Sequence, residues 1–233
     1  MFDSLLTDLR GQKRRCTVYR SGSPLEIERW FASHGVPVES RSLPPDGPAP
    51  FIEIEADDEV VGVIGVEAVE GLIEPPIRRP GDGDGTSEGY RVLFDLLDAT
   101  VLSGMTRREL LAVSREIEDR AFRVGDGVLR VSFQTLSTFA SQTAVYRALG
   151  SETDLDVHVY GAGDWTPPAL PGVTYHADAT GRFEPYWAMA YDGGSDSTQA
   201  CGLVAEEQSD TYTGFWTSDP ATVEEIATTL GTE

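Results

Sequence analysis

The densest group of side chains that could do chemistry lies on a predicted helix between residues 106 and 123. Leu110, Val113, Ile117 and Ala121 recur at helical spacing and form an apolar stripe, while charged residues fill the other faces. The carboxylates of this segment could form a cluster of the kind that general acid–base catalysis uses. They are Glu116, Glu118 and Asp119.

Helical geometry gives these carboxylates a simpler interpretation. Opposite charges four residues apart lie on one helix face and pair there. Three such pairs occur: Arg115–Asp119, Glu116–Arg120 and Asp119–Arg123. We therefore predict a solvated ion-pair lattice, while a charged helix beside the Gly125-Asp126-Gly127 turn could also form the rim of a pocket or an interface.

Other catalytic and metal-binding patterns fail on their spacing. The three histidines, His34, His158 and His176, are scattered singly, and metal or acid–base roles need convergence that a sequence does not show. A calcium loop starting at Asp82 would need glycine and glutamate where Ser87 and Leu93 stand. Phosphate-loop, HExxH and CxxC motifs are also missing from the sequence. We expect a protein that is not an enzyme and binds no metal, and no cofactor can be assigned.

Composition indicates the cellular environment. The 233 residues carry a formal net charge of −21, and Lys13 is the sole lysine among 18 basic residues. Acid-rich, lysine-poor chains are typical of cytoplasm with concentrated salt, because the dissolved ions screen the repulsion between carboxylates. We predict a cytoplasmic protein of a halophilic archaeon. Nucleic acid and anionic membranes are excluded as partners, since both require basic patches.

The order of predicted elements indicates the fold class. Helices and strands interleave in the first half, and strand-like segments dominate after a second long helix predicted over 134–149. The pattern favours an α/β or α+β fold with a mixed β-sheet and packed helices. The run of proline and glycine over 75–89 predicts a linker. We expect an N-terminal α/β segment at 1–80 and a second domain at 88–233.

Aromatic residues gather in the strands of the last third of the chain. Trp187, Met189 and Tyr191 share one face of a predicted strand because side chains alternate. A half-buried core face is the simpler interpretation, and an aromatic-lined ligand pocket is the functional one. The candidate pocket walls are Tyr160, Trp187 and Trp216.

The middle of the chain resembles the DICT sensory domain, a family named for its occurrence with diguanylate cyclases and two-component systems. The resemblance covers about 90–164, and the segment 214–220 is similar to haloarchaeal members. It is carried by AVSREIEDRA at 112–121, VGDG at 124–127, Phe133-Gln134, VHVYG at 157–161 and Asp164.

The resemblance implies a non-catalytic sensory module that binds an unidentified ligand or a signalling partner. The implied partners are a histidine kinase, a diguanylate cyclase or a transcription regulator, and the sequence leaves a homodimer open. The alternative is an interaction adaptor for a kinase or regulator without a small ligand. The candidate site residues are Ser114, Arg115, Glu118 and Asp119 at the rim, with Tyr160, Trp187 and Trp216 as walls.

Overall fold

A computed structural model describes residues 2–10, 14–56, 59–69, 77 and 94–232. The helices are α1 (Asp3–Arg10), α2 (Glu26–Ser33), α3 (Val66–Val69), α4 (Arg107–Val124), α5 (Leu136–Phe139), α6 (Thr143–Glu152) and α7 (Pro220–Gly231). The strands are β1 (Arg14–Arg20), β2 (Val38–Ser42), β3 (Phe51–Ala56), β4 (Glu59–Gly65), β5 (Leu102–Met105), β6 (Val128–Thr135), β7 (Asp156–Ala162), β8 (Val173–Asp178), β9 (Tyr186–Tyr191), β10 (Cys201–Gln208) and β11 (Thr211–Thr217).

The strands form two mixed sheets, which confirms the predicted α/β (α+β) class. One sheet has four strands in the order β2-β1-β3-β4, and the other has seven in the order β5-β11-β10-β9-β6-β7-β8. The pairs β1–β2, β6–β7 and β7–β8 are parallel, whereas the meander of β9, β10 and β11 is antiparallel.

Helices cover both faces of the seven-stranded sheet. Alternate residues of β6, β7, β9 and β10 pack under α4, α5 and α6, and this core continues into the four-stranded sheet and α2. Residues of the opposite parity pack against α1 and α7. None of the helices in the described parts of the chain combines the length and apolar character needed to cross a bilayer.

The long helix α4 forms where the sequence predicts it. Thr106 caps its start, because the Thr106 hydroxyl accepts from the Glu109 amide at 3.3 Å and the Glu109 carboxylate accepts from the Thr106 amide at 2.7 Å. Gly125 ends the helix with a left-handed φ of 80°. Two predicted boundaries elsewhere are wrong.

The first wrong prediction is the continuous helix over 134–149. The chain instead forms α5, a 3-10 turn at Ala140–Gln142, and α6. The second is the start of α2, for which Ser23 with Glu26 three residues later predicts a capping box. The cap is Leu25, whose amide donates to the Glu28 carboxylate at 2.5 Å, and this carboxylate also pairs with Arg20 of β1 at 3.0 Å. A tertiary contact therefore sets where α2 begins.

The Gly-Asp-Gly turn after α4 is a packing element. The Asp126 carbonyl accepts from the Tyr191 hydroxyl at 2.9 Å, and the Asp126 carboxylate accepts from the Ser195 amide at 2.6 Å. A side chain on Gly194 would collide with the backbone of Asp126 at 2.5 Å. The turn thus joins the end of α4 to the loop after β9.

An ion pair joins the N-terminal segment to the start of α4. His34, just after α2, lies 3.2 Å from Glu109 through Nε2, and the Glu109 carboxylate also accepts from the Trp30 indole at 2.8 Å. Burial lowers the pKa of His34. Its hydrogen bonds to the Glu109 carboxylate and to the Trp30 carbonyl raise the pKa by more, so the net shift is upward. Although burial raises the pKa of Glu109, its hydrogen bonds lower it to about 2.

We expect this junction to make stability depend on pH. Because the folded pKa of His34 is raised, its stabilisation is complete below about pH 6.5 and is lost as pH rises through the folded value. The stabilisation from Glu109 depends on pH in the opposite direction. Because the folded pKa of Glu109 is lowered, this stabilisation is present at neutral pH and is lost only as the pH falls toward 2. Chemical denaturation of His34→Gln should therefore show a larger deficit from the unaltered protein at about pH 5.5 than at about pH 8.5. An equal deficit at both pH values would show that His34 is not charged in the fold.

Candidate functional site

The charged face of α4 is buried, and the predicted solvated lattice is wrong. Glu116 is 1% exposed and Glu118 is 2% exposed, although both lie away from the predicted apolar stripe. The helix lies on the seven-stranded sheet, and the segments at 94–95 and 142–146 contact its remaining faces. The sequence shows the apolar stripe of α4 but not these further neighbours.

One buried pair connects α4 to the break between α5 and α6. Arg115 donates through Nη1 to the Glu118 carboxylate and through Nη2 to the side-chain oxygen of Gln142. Tyr146 of α6 is fully buried beside the same carboxylate. We call Arg115, Glu118, Gln142 and Tyr146 the Glu118 network. It is a polar link between two helical segments inside an apolar core.

Burial dominates the electrostatics of this network. It raises the pKa of Glu118, and the nearby Arg115 guanidinium opposes the shift. Burial and the Glu118 charge together raise the pKa of Tyr146 well above its usual value. A buried ion pair costs desolvation energy that its Coulomb attraction often fails to recover. Covering a sheet does not require such a pair, so the desolvation cost of the network is not explained by the packing of α4 alone.

The other charges of α4 pair along the helix. Arg120 binds Glu116 at 3.1 Å and reaches Asp95 at 3.4 Å, so it ties α4 to the segment before β5. Asp119 pairs with Arg123 at the more exposed edge. Arg115 pairs with Glu118 instead of Asp119, which corrects one of the three predicted pairs.

Ser114 points into the helix backbone. Its hydroxyl donates to the Leu110 carbonyl at 2.9 Å, and the residue is buried. Of the four predicted rim residues, the structure brings only Arg115 and Glu118 into one network. Ser114 and Asp119 make separate contacts within α4.

Trp187 of β9 lines a small niche beside the Glu118 network. The guanidinium of Arg107 lies 5.7 Å from the Trp187 ring centre, and the buried indole Nε1 of Trp187 has no hydrogen-bond partner. We define the Trp187 niche by its lining residues, Arg107, Ser132, Phe133, Gln134, Thr138, Gln142 and Trp187. Gln134 has a left-handed φ of 42°, a strained conformation for a residue other than glycine.

The niche is small. Its volume is about 10 Å³, room for roughly one water molecule. A larger group can reach the Trp187 indole only if a lining side chain moves. Gln142 is shared with the Glu118 network, so its displacement would break the contact to Arg115. Entry into the niche and rearrangement of the network are thus physically coupled.

The three predicted pocket walls do not lie together. Trp216 belongs to the core, where its indole donates to the Phe94 carbonyl at 2.7 Å and its ring stacks on Phe94. Tyr160 faces the opposite side of the sheet, toward α7. Trp187 alone adjoins the Arg115–Glu118 pair, through Gln142.

Sequence reasoning missed a pairing of two histidines. His158 Nδ1 lies 2.9 Å from His176 Nε2, and His158 Nε2 lies 3.1 Å from Asp156 Oδ2. Parallel pairing of β7 with β8 puts Tyr160 opposite His176, which brings the residues together. The alternation of residues within β7 and within β8 is visible in the sequence. The sequence does not show that these two strands pair with each other. Across the described ranges, no three His, Cys, Asp or Glu side chains are placed to hold a metal ion.

Comparison with known protein families shows which family this chain is related to. Residues 93–208 match the family described as "DICT: Sensory domain in DIguanylate Cyclases and Two-component system". This segment of the chain belongs to the DICT family. The match begins before β5, includes α4 and the strands through β10, and contains both the Glu118 network and the Trp187 niche. The DICT domain is a sensory domain of signal-transduction proteins.

Comparisons with whole proteins add little to the DICT assignment. No curated protein sequence matches the chain. One similar solved structure is titled "Crystal Structure of Polyphosphate Kinase from Porphyromonas Gingivalis", at 11% identity and a TM-score of 0.40. The alignment covers 99% of this chain and 48% of that chain, so this chain spans about half of that protein's length. A likeness this weak supports neither the fold nor an activity.

Proposed function

We propose that this chain is a non-catalytic sensory module of a halophilic archaeal cytoplasm. It binds a small ligand at the Trp187 niche and responds by moving α5 and α6 against α4. The observation that carries the proposal is the shared residue Gln142, which lines the niche and accepts from Arg115. A ligand changes an equilibrium only if it binds one state better than the other.

The chemistry of the niche supports a ligand that accepts hydrogen bonds. The unpartnered indole N–H of Trp187 is a donor, and the Arg107 guanidinium supplies a positive charge. The side-chain amides of Gln134 and Gln142 add further donors. An acceptor-rich ligand in the niche would accept a hydrogen bond from the indole directly.

The division into a segment at 1–80 and a sensory domain at 88–233 is part of the proposal. Strand β11 lies beyond the matched residues but pairs with β10 and β5 inside the seven-stranded sheet. Helix α7 covers the same sheet. The sensory unit would therefore include these C-terminal elements.

Native mass spectrometry of the full chain purified from its host tests the proposal. We expect the chain to carry a constant additional mass of a small molecule. The variant Arg115→Leu/Glu118→Leu, which keeps the volume of the core but removes the network, should lose this mass while remaining folded by circular dichroism. Arg123→Leu, a matched charge removal at the exposed edge of α4, should retain it.

Other outcomes of this experiment would contradict the proposal. A chain without any added mass that co-purifies with a histidine kinase, a diguanylate cyclase or a transcription regulator would favour the adaptor alternative. Retention of the same molecule by the double variant would separate ligand binding from the Glu118 network. Conversion of the molecule by the purified chain would show catalysis.

A further inference from the structure

A second and larger cleft opens on the opposite face of the seven-stranded sheet. It lies beside β7, β8 and the end of α7, and its volume is about 620 Å³. Small-molecule sites commonly measure about 300–1,000 Å³, so this cleft admits a ligand without rearrangement. We call it the Tyr160 cleft, lined by Tyr160, His176, Ala177, Asp178, Ala179, Thr180, Arg182, Phe183 and Gly231.

Flat rings form one wall of the Tyr160 cleft. The rings of His176 and Tyr160 line the cleft and stack on each other, with their centres 4.5 Å apart. The ring of Phe183 continues the row, 5.6 Å from Tyr160. Tyr160 is 5% exposed and Phe183 is 1% exposed, so the cleft meets this row at its edge and at the half-buried His176, which favours a planar ligand body.

Two guanidinium groups lie near this wall. Arg182 sits 4.6 Å from the ring centre of Phe183 and donates through Nη1 to the Thr232 carbonyl. Burial raises the pKa of the Tyr160 phenol. The positive charges of Arg130 and Arg182 lower that pKa by less, so it is raised overall. A guanidinium carries five donors, so the contact to Thr232 leaves Arg182 capacity for an anion.

The nearby carboxylates have partners, except that Asp178 Oδ2 is buried without one. Asp156 is paired with His158 at 3.1 Å. Asp178 accepts from the Thr180 amide at 2.9 Å and from the Thr180 hydroxyl at 2.6 Å, which shapes the turn leading to Arg182 and Phe183. These two negative charges disfavour a ligand with several negative charges more than a ligand with one.

We propose that the Tyr160 cleft binds a planar aromatic monocarboxylate. Its ring lies along the wall of His176, Tyr160 and Phe183, and its carboxylate pairs with Arg182. This site is separate from the Trp187 niche, and the two proposals can fail independently because they lie on opposite faces of the sheet.

Isothermal titration of the full chain with 2-naphthoate, and with neutral 2-naphthamide, tests this site. We expect saturable one-to-one binding of the acid and binding of the amide weaker by about tenfold or more, because a hydrogen bond to a charged group is the stronger kind. Arg182→Gln should weaken naphthoate binding by about the same factor. Tyr160→Leu should weaken acid and amide alike, since it removes part of the wall.

Two further variants keep the test decisive. Arg147→Gln removes an exposed charge of α6 outside the cleft and should bind naphthoate like the unaltered protein. Arg182→Lys keeps the charge and should bind better than Arg182→Gln if folding by circular dichroism is the same. The proposal is overturned if naphthoate does not bind, if the amide binds equally well, or if Arg182→Gln and Tyr160→Leu have no effect.

Discussion

Replacing Arg115 with leucine should destabilise the fold by about 3–5 kcal/mol at neutral pH, because it leaves the Glu118 carboxylate buried without its cation. The side chain of Glu118 is 3% exposed, so water cannot replace the lost partner. Removing both charges together should be far milder. Arg115→Leu/Glu118→Leu should unfold within about 1 kcal/mol of the unaltered protein, or be more stable.

Urea denaturation followed by circular dichroism measures both variants. Arg123→Leu is the matched control on the same helix, and its half-exposed pair should contribute less than about 1 kcal/mol. If Arg115→Leu and Arg123→Leu are equally stable, Glu118 is solvated, as the sequence alone suggests.

The pH dependence of Arg115→Leu gives a second check on the buried carboxylate. Burial raises the pKa of Glu118, and Arg115 opposes this, so the variant should raise that pKa further. A raised folded pKa means that stability is present below about pH 4.5 and is lost as pH rises through the folded value. Arg115→Leu should therefore lose more stability relative to the unaltered protein at neutral pH than at acidic pH.

Replacing Trp216 with alanine should cost about 3–5 kcal/mol, the usual loss for a large buried aromatic side chain. The indole ring stacks on Phe94 at 5.4 Å and its N–H donates to the Phe94 carbonyl. It thereby holds β11 against the segment before β5. Trp216→Phe keeps most of the ring packing and should cost less, about 1–3 kcal/mol for the unpaired carbonyl and the lost volume.

Trp165 provides the matched comparison for Trp216. Its side chain is 37% exposed in the loop after β7, so Trp165→Ala should change stability by no more than about 0.5 kcal/mol. Chemical denaturation in one buffer gives both values. Equal stabilities of Trp216→Ala and Trp165→Ala would show that Trp216 is no core residue and would restore its interpretation as a pocket wall.

The sequence predicts α4 well because the information is local. Its apolar stripe, the Thr106 cap and the Gly125 end all lie within the helix or beside it. Periodicity shows which face meets the sheet, but it gives no sign that other segments cover Glu116 and Glu118. The charged helix therefore looks solvated in the sequence and is buried in the fold.

The parts of the site that the sequence did not predict depend on contacts between distant segments. The break at 140–142 places Gln142 against Arg115, 27 residues earlier in the chain. The pairing of His158 with His176 depends on the parallel register of β7 and β8. The register of β6 with β7 and β9 likewise puts Trp187 on the α4 side of the sheet and Tyr160 on the other, because Tyr160 pairs with Ser132 and Trp187 pairs with Phe133.

Native-state hydrogen exchange of the full chain, without added ligand, tests the central claim most directly. If α5 and α6 can move against α4, amides of α6 should exchange through a local opening well below the free energy of global unfolding, while amides of β9 and β10 should exchange only at the global value. The double variant Arg115→Leu/Glu118→Leu should raise the opening free energy of α6 toward the global value. Exchange of α6 only through global unfolding in the unaltered protein would contradict the account.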